Sequence, residues 1–135
     1  MELTVEQLQE EETSRHGDFY SLALFRELDE GAEGIEIQRT VGGIYGEEGV
    51  GGRSYCTVTA DHDTHYGGIE RVVWSDSAVE ISYTDAARQA LNLADRNLVL
   101  QLSMDDSDRT KVKDGIRRIF AGEFVPPQPE LVNFD

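Results

Sequence analysis

The sequence has little cysteine, little proline and no long apolar run. Among its 135 residues there are one cysteine and three prolines. A single cysteine cannot form an intrachain disulfide, which excludes disulfide-stapled folds and indicates a reducing compartment. No apolar run reaches the roughly 18 residues that a transmembrane helix needs, so none is predicted.

The start of the chain also lacks the features of a secretory signal. Its opening segment, MELTVEQLQEEE, contains neither a basic stretch nor an apolar one. A signal peptide requires both, in that order. We therefore expect no secretory signal and a cytoplasmic location.

Basic residues are scarce relative to acidic ones. Asp and Glu total 27 against 12 Lys and Arg, which gives a formal net charge of −15. Such a field repels nucleic-acid phosphates and anionic membranes, and it attracts basic partners and speeds their encounter. We expect neither nucleic acid nor a membrane as a partner. Solubility alone is the alternative explanation of the charge.

The composition is that of a folded domain. Hydrophobic residues make up 39% of the chain and charged residues 29%, which is typical of globular proteins rather than disordered ones. The length fits a single domain with its own core. We predict one α+β domain over residues 1–122. A tail over residues 123–135 holds all three prolines and should run over the surface without a regular element.

Short alternating segments predict that most of the domain is β-structure. FYSLALF (19–25) places Tyr20, Leu22 and Leu24 on one face. GIEIQRT (34–40) points its isoleucines inward and Glu36 and Gln38 outward. Further strands are predicted at RSYCTVT (53–59), GIERVVW (68–74), AVEISY (78–83) and NLVLQLS (97–103), the middle two forming a hairpin. The first dozen residues are ambiguous between strand and helix.

One long amphipathic helix is predicted over residues 107–121. Val112, Ile116, Ile119 and Phe120 form a single apolar stripe, with acidic residues before it and arginines near its end. Thr84 or Asp85 can cap a shorter helix in DAARQALNL. The predicted fold class is α+β: a largely antiparallel sheet of about five to seven strands with one C-terminal amphipathic helix packed on it.

The segment VGGIYGEEGVGG, residues 41–52, is half glycine. Glycine loses more backbone freedom on ordering than any other residue, so a long exposed loop is predicted. The segment has neither the GxxxxGK[ST] pattern nor a GxGxxG that opens a helix, so phosphate binding is not indicated. A loop of this length is more often a binding loop or a mobile connection.

Asp61, His62, Asp63 and His65 form the only metal-like cluster in the sequence. In a strand, neighbouring side chains alternate between faces, and the only other histidine is His16. We interpret the cluster as a polar turn, whose residue types tolerate unusual backbone angles. The alternative is a small metal-binding hydrolase that uses these four residues. We predict no bound metal, no cofactor and no catalysis.

No other catalytic signature stands out. Cys56 shares a strand face with Val58, has no base nearby in sequence, and is interpreted as a buried small hydrophobic residue. There is no GxSxG motif. Carboxylates are so numerous that no particular pair is informative.

Several segments together are similar to a known family. GIEIQRT, SYCTVT, THYGGIERVVW, AVEIS with DAARQALNL, and a helix ending in IRRIF resemble the immunity protein 10 family of bacterial polymorphic-toxin systems. The similarity spans about residues 20–120, and its most specific part is Tyr66-Gly67-Gly68-Ile69 leading to Trp74. The resemblance implies a small, mainly β intracellular protein that binds and neutralises a cognate toxin, without a cofactor and without catalysis.

The resemblance and the charge together lead to a predicted mechanism. An acidic inhibitor can block a toxin with a basic cleft in a stoichiometric complex and associate with it quickly. The Gly67-Gly68 pair would permit a tight turn or bulge at the hairpin entry. An acidic nucleic-acid mimic that inhibits another basic protein is the second alternative. The predicted partner-binding residues are Tyr45, Glu47, Glu48, Asp61, Asp63 and Tyr66.

Overall fold

The computed structural model describes residues 1–13, 19–41, 53–121 and 128–135. Within these ranges the chain forms ten strands and two helices. They are β1 (Glu2–Val5), β2 (Gln7–Thr13), β3 (Phe19–Glu27), β4 (Ala32–Val41), β5 (Arg53–Thr59), β6 (Thr64–Tyr66), β7 (Ile69–Trp74), β8 (Ala78–Tyr83), α1 (Asp85–Ala90), β9 (Asn97–Leu102), α2 (Asp106–Ile119) and β10 (Glu130–Val132).

The strands form two five-stranded sheets. The first sheet has the order β1-β9-β8-β7-β10, and the second has the order β2-β3-β4-β5-β6. The second sheet is antiparallel throughout. In the first sheet the two edge strands are parallel to their neighbours, β1 to β9 and β10 to β7. The first and last strands, β1 and β10, therefore form the two edges of the first sheet.

The α+β class and the mainly antiparallel pairing are confirmed, but the predicted number of sheets is wrong. The described strands form two sheets where the sequence predicted one, because alternation shows that a strand exists but not which strand it pairs with. The amphipathic helix is present as α2 and is accompanied by the short helix α1. The expectation of an irregular tail does not hold for Glu130–Val132, which adds a strand to the first sheet.

The core lies between the inward faces of the two sheets. From the second sheet it includes Tyr20, Leu22, Leu24, Ile35 and Ile37, and from the first Val5, Val72, Val79, Ile81, Leu98 and Leu100, all at most 4% exposed. Two tyrosine hydroxyl groups link the layers. Tyr55 Oη accepts from the Ile69 backbone N–H at 3.0 Å, and Tyr83 Oη lies 3.2 Å from Thr57 Oγ1.

Helix α2 packs on the inward face of the second sheet. Asp105 caps it by accepting a hydrogen bond from the Asp108 N–H at 2.8 Å, as expected for an N-cap carboxylate. Val112, Ile116, Ile119 and Phe120 are buried, which confirms the predicted stripe. Gly115 permits the close approach, since a Cβ there would lie 2.5 Å from Tyr20 Oη.

Two residues that follow β10 contact Trp74 of the first sheet. Phe134 is 6% exposed, and its ring centroid lies 5.9 Å from that of Trp74. Asn133 donates to the Trp74 carbonyl at 3.3 Å. No helix in the described part of the chain combines the length and the apolar character that crossing a membrane requires.

Candidate partner-binding surface

The cluster around Asp61 is a tight hairpin turn between β5 and β6. The His62 N–H donates to the Thr59 carbonyl at 2.9 Å, and the Thr59 N–H donates to the Asp63 carbonyl at 2.9 Å. The Asp63 N–H also donates to Thr59 Oγ1 at 3.2 Å. The loop between these bonds holds Ala60, Asp61 and His62, a length that is common in β-hairpins.

His62 has the backbone conformation that closes this turn. Its φ is +70°, in the left-handed region, which for a non-glycine residue costs roughly 1–2 kcal/mol. Asn, Asp and His are the non-glycine residue types enriched there. The local sequence therefore has a turn function that needs no metal.

The four side chains of the metal-like cluster do not converge. Asp61 and His62 are exposed and Asp63 is half-exposed. His65 lies in β6 opposite Thr57, and its ring approaches Gly68. In residues 1–13, 19–41, 53–121 and 128–135, no group of three or more His, Cys, Asp or Glu residues could hold a metal ion. The metal-binding hydrolase has no geometric support among these residues.

The Gly67-Gly68 pair is a backbone requirement of the hairpin entry. Both glycines have positive φ, +70° and +84°, and the β7–β8 register shifts between Ile69 and Arg71. A Cβ on Gly68 would lie 2.6 Å from Ala87 Cβ in α1. The expected kink is thus present, and it holds β6 against α1.

Tyr66 is the most exposed large hydrophobic side chain in the described part of the chain. It is 59% exposed and ends β6, the edge strand of the second sheet. Its register partner is Cys56, which places both residues on the outward face of that sheet. An exposed tyrosine at a strand end is the kind of residue that anchors protein interfaces.

The turns at one end of the second sheet form an acidic end. Residues 26–34 and 58–64 hold six carboxylates and one arginine. That arginine, Arg26, pairs with Glu33 at 3.3 Å. The two turns adjoin, because Leu28, Glu33, Ala60 and Asp61 line a common surface cavity. Asp61 and Asp63 therefore belong to a wider group of acids that the sequence analysis did not connect.

Tyr45, Glu47 and Glu48, the other predicted partner-binding residues, lie outside the described residues. The strand ends that flank them, Val41 and Arg53, pair with each other. Arg53 begins β5 and Thr59 ends it. The Val41–Arg53 pair therefore lies about 20 Å from Thr59, given the rise per residue of a strand. The flanking residues thus do not adjoin the Asp61–Asp63 turn.

A hydrogen-bonded group on the outward face of the second sheet was not predicted from the sequence. Ser21 Oγ donates to Glu36 Oε2 at 2.6 Å, and Gln38 Nε2 donates to the same oxygen at 2.8 Å. Cys56 Sγ lies 3.4 Å from Gln38 Oε1. The outward positions of Glu36 and Gln38 were predicted from alternation, but this group depends on strand pairing.

Cys56 is not an activated nucleophile. It is 5% exposed, and burial, helped by the negative charge of Glu36, raises the pKa of its thiol to about 11. Only the thiolate is nucleophilic. The thiol therefore remains protonated near neutral pH, in agreement with its interpretation as a small buried residue.

Most of the chain matches a known protein family. The model of the family described as Immunity protein 10 matches residues 4–110. The chain belongs to the immunity protein 10 family. The match covers the second half of β1, all of β2 to β9 and the start of α2, and it confirms the resemblance seen in the sequence. Searches of curated proteins and of solved structures give no match.

Proposed function

We propose that this member of the immunity protein 10 family binds a cognate intracellular toxin domain and neutralises it by stoichiometric blockade. Family membership supports an immunity role with a toxin as the protein partner. The proposal adds that the contact is made by an acidic surface to a basic cleft of the toxin, that the protein acts in the cytoplasm, and that it does so without catalysis.

The observation that carries the acidic-surface proposal is the uneven distribution of charge. Residues 1–66, which contain β1 and the whole second sheet, hold 15 acidic and 4 basic residues, a net charge of −11. Residues 67–135 hold 12 acidic and 8 basic residues, a net charge of −4. A one-sided field orients an approaching basic partner and raises its association rate.

Separate roles follow for the charged and aromatic residues of this half. Asp61 and Asp63 lie at the acidic end, so we assign them to the encounter step. Tyr66 is an exposed aromatic residue, so we assign it to the bound state, where such residues act as anchors. We extend the same assignment to Glu47 and Glu48 for encounter and to Tyr45 as an anchor. Rim charges mainly change association, whereas anchors mainly change dissociation.

The direct test uses the toxin domain encoded by the adjacent gene. Co-expression with this chain should restore growth of cells that the toxin alone arrests. Calorimetric titration of a catalytically inactive toxin should give one-to-one stoichiometry. Absence of both protection and binding would contradict the proposal. Protection at substoichiometric amounts of this chain would instead indicate catalysis and would contradict blockade.

Kinetic measurements at two salt concentrations test the division of roles. The double variant Asp61→Lys with Asp63→Lys should associate more slowly and with a weaker salt dependence, since screening acts on exposed charges. Tyr66→Ala should leave association unchanged and speed dissociation. An unchanged association rate and salt slope in the double variant would exclude the acidic turn from the interface. The corresponding variants Glu47→Lys with Glu48→Lys, and Tyr45→Ala, test the glycine-rich segment in the same way.

A further inference from the structure

The outward face of the second sheet is open to solvent at its centre. We call the outward residues of β3, β4 and β5 the open face: Ser21, Ala23, Phe25, Glu36, Gln38, Cys56 and Val58. β4 is the central strand, yet Glu36 and Gln38 on it are only half-buried, as is Val58 beside them. A covered sheet centre would bury these side chains.

A groove of about 250 Å³ lies on the open face. Ala23, Phe25 and Val58 supply an apolar floor, and Glu36 supplies a carboxylate at its side. Ala60 and His62, in the β5–β6 turn of the acidic end, line the same groove. The groove therefore joins the open face to the turn that carries Asp61 and Asp63.

The Glu36 carboxylate is held in place and retains an acceptor. Ser21 and Gln38 both donate to Oε2, which leaves Oε1 without a hydrogen bond from the described residues. A side chain that is already ordered loses less entropy when it binds a partner. Its negative charge also makes any hydrogen bond from a cationic donor stronger than a neutral one.

No basic residue of β2, β3, β4 or β6 occupies an outward position. Those strands contain two arginines, Arg26 and Arg39. Arg26 alternates in phase with Leu24 and pairs with Glu33. Arg39 is 5% exposed and donates to the Arg118 carbonyl of α2. Glu36 therefore has no cation beside it on its own face in these strands.

We propose that the open face is the docking surface for the toxin, and that its groove receives a lysine or arginine side chain of that toxin. The aliphatic stem would lie on Ala23, Phe25 and Val58, since long cationic side chains bury their methylene groups readily. The charged head would donate to Glu36 Oε1. This inference rests on the proposed function and assigns it a surface and a recognition chemistry.

The size of the face fits part of a standard interface. The three strands of the open face, spaced about 4.8 Å apart and about 20 Å long, cover roughly 300 Å², about a third of the 800 Å² that each partner contributes to a typical stable complex. The acidic turn adjoins the groove, and Tyr66 stands at the β6 edge on the same side. These neighbours supply further area around the groove, with an aromatic residue at its margin.

The chain offers a matched control for a charge-reversal test. Glu80 lies in β8, the central strand of the first sheet, and is half-buried like Glu36. It pairs with Val73 and Val99 and faces outward on the opposite side of the molecule. Glu36→Lys and Glu80→Lys thus make the same change in net charge at equivalent positions of the two sheets.

Binding to the inactivated toxin from the adjacent gene is measured for both variants and for Glu36→Gln. Glu36→Lys should weaken binding roughly 100-fold, because it places like charges together in a desolvated contact. Glu36→Gln should weaken it roughly 10-fold through loss of the charge. Glu80→Lys should stay within about 3-fold, as expected for a distant surface charge. Thermal unfolding of each variant confirms that it is folded.

The outcomes separate the surface from the function. If wild-type protein binds the toxin and Glu36→Lys binds equally well, the open face is not the docking surface and the immunity function stands. If Glu80→Lys weakens binding as much as Glu36→Lys, the effect is net charge and the groove assignment is wrong. If wild-type protein does not bind, both proposals fail. Hydrogen exchange should show protection of β3, β4 and β5 in the complex.

A second copy of the chain is the competing occupant of this face. Sedimentation of the wild-type protein alone tests it over a range of concentrations. A monomer is expected. A dimer that Glu36→Lys dissociates, and that toxin does not displace, would identify the open face as a self-association surface and overturn the proposal.

Discussion

The packing of Phe134 against Trp74 gives a sensitive test of how the C-terminal segment is attached. Phe134 is 6% exposed and Trp74 is 8% exposed, and their ring centroids are 5.9 Å apart. Trp74 is the only tryptophan in the chain, so tryptophan emission reports the surroundings of this one side chain, which include the Phe134 ring. Removing the Phe134 ring should expose the indole and shift its emission to longer wavelength.

The expected loss of stability for Phe134→Ala is about 2–3 kcal/mol. Burying a phenylalanine side chain contributes about 1.5–3 kcal/mol, and an aromatic pair adds about 0.5–1.5 kcal/mol. Full truncation in a rigid core costs about 3–5 kcal/mol because a cavity remains. Phe134 follows β10, a three-residue strand at the edge of its sheet, so the segment can detach and water can enter. The lower range therefore applies.

The assay is thermal and urea unfolding followed by tryptophan emission. A loss of this size should lower the Tm by roughly 6–12 °C for a domain of this length. Deletion of residues 128–135 should cost at least as much, because β10 and the Asn133 contact to Trp74 are lost too. Leu28→Ala, at a side chain that is 43% exposed, is the control and should cost under about 0.5 kcal/mol. Unchanged emission and a Tm within about 2 °C of wild type would refute the docking of this segment.

Three further predictions concern the helix, the turn and alkaline pH. Ile116→Asp should cost several kcal/mol in urea unfolding, since Ile116 is 1% exposed and a carboxylate there has no partner; an unchanged midpoint would mean that α2 is not docked. His62→Gly should be neutral or stabilising by up to about 1 kcal/mol, because glycine adopts positive φ without strain; a clear loss would show that the His62 side chain stabilises the fold. Burial raises the pKa of Tyr83 and of Cys56, the latter to about 11, so the folded state holds protons that the unfolded chain releases. The contribution of these two groups to stability should therefore be constant below pH about 8.5 and fall as pH rises above it, and a flat stability profile from pH 8 to 10 would contradict this.

Elements with regular alternation could be predicted from sequence, and β2 shows why others could not. Its inward positions are Leu8, Glu10 and Glu12, so the polar and apolar pattern of a half-buried strand is lost. Glu10 accepts a hydrogen bond from Tyr20 Oη at 2.7 Å, and Glu12 pairs with Arg118 of α2. Both glutamates face partners that are distant in sequence. The acidic residues that left this segment ambiguous between strand and helix are explained only by the tertiary structure.

Parallel pairing of the terminal strands is likewise a non-local property. β1 pairs with β9, and β10 pairs with β7. Neither parallel pair is joined by a short turn that could be recognised in the sequence. The β7–β8 hairpin differs, because its SDS turn is visible there. The three prolines before β10 predicted a tail without a regular element, and they could not show that Glu130–Val132 forms a strand beyond them.

The candidate surface was predictable in parts. Alternation placed Glu36 outward, and turn chemistry placed Asp61 and Asp63 in a loop. The groove could not be foreseen, because Ala23, Glu36 and Val58 come from three strands whose register fixes their contact. Sequence patterns identify which side a residue faces, whereas a binding surface depends on which residues become neighbours across strands.

The contacts made by the cations of α2 bear on the proposed acidic surface. Five of the twelve basic residues lie in α2, where Lys111 and Arg117 pair with acids one turn earlier at 3.9 and 3.4 Å. Lys113 Nζ lies 5.7 Å from the centre of the Trp74 ring. These contacts give the three cations partners within the protein. Most of the cations of α2 thus have partners within the helix or near it, and Arg118 pairs with Glu12 of β2, whereas Glu36 has no cation beside it in β2, β3, β4 or β6. Under the proposed function, we therefore expect a basic partner to approach the second sheet, where we place the groove.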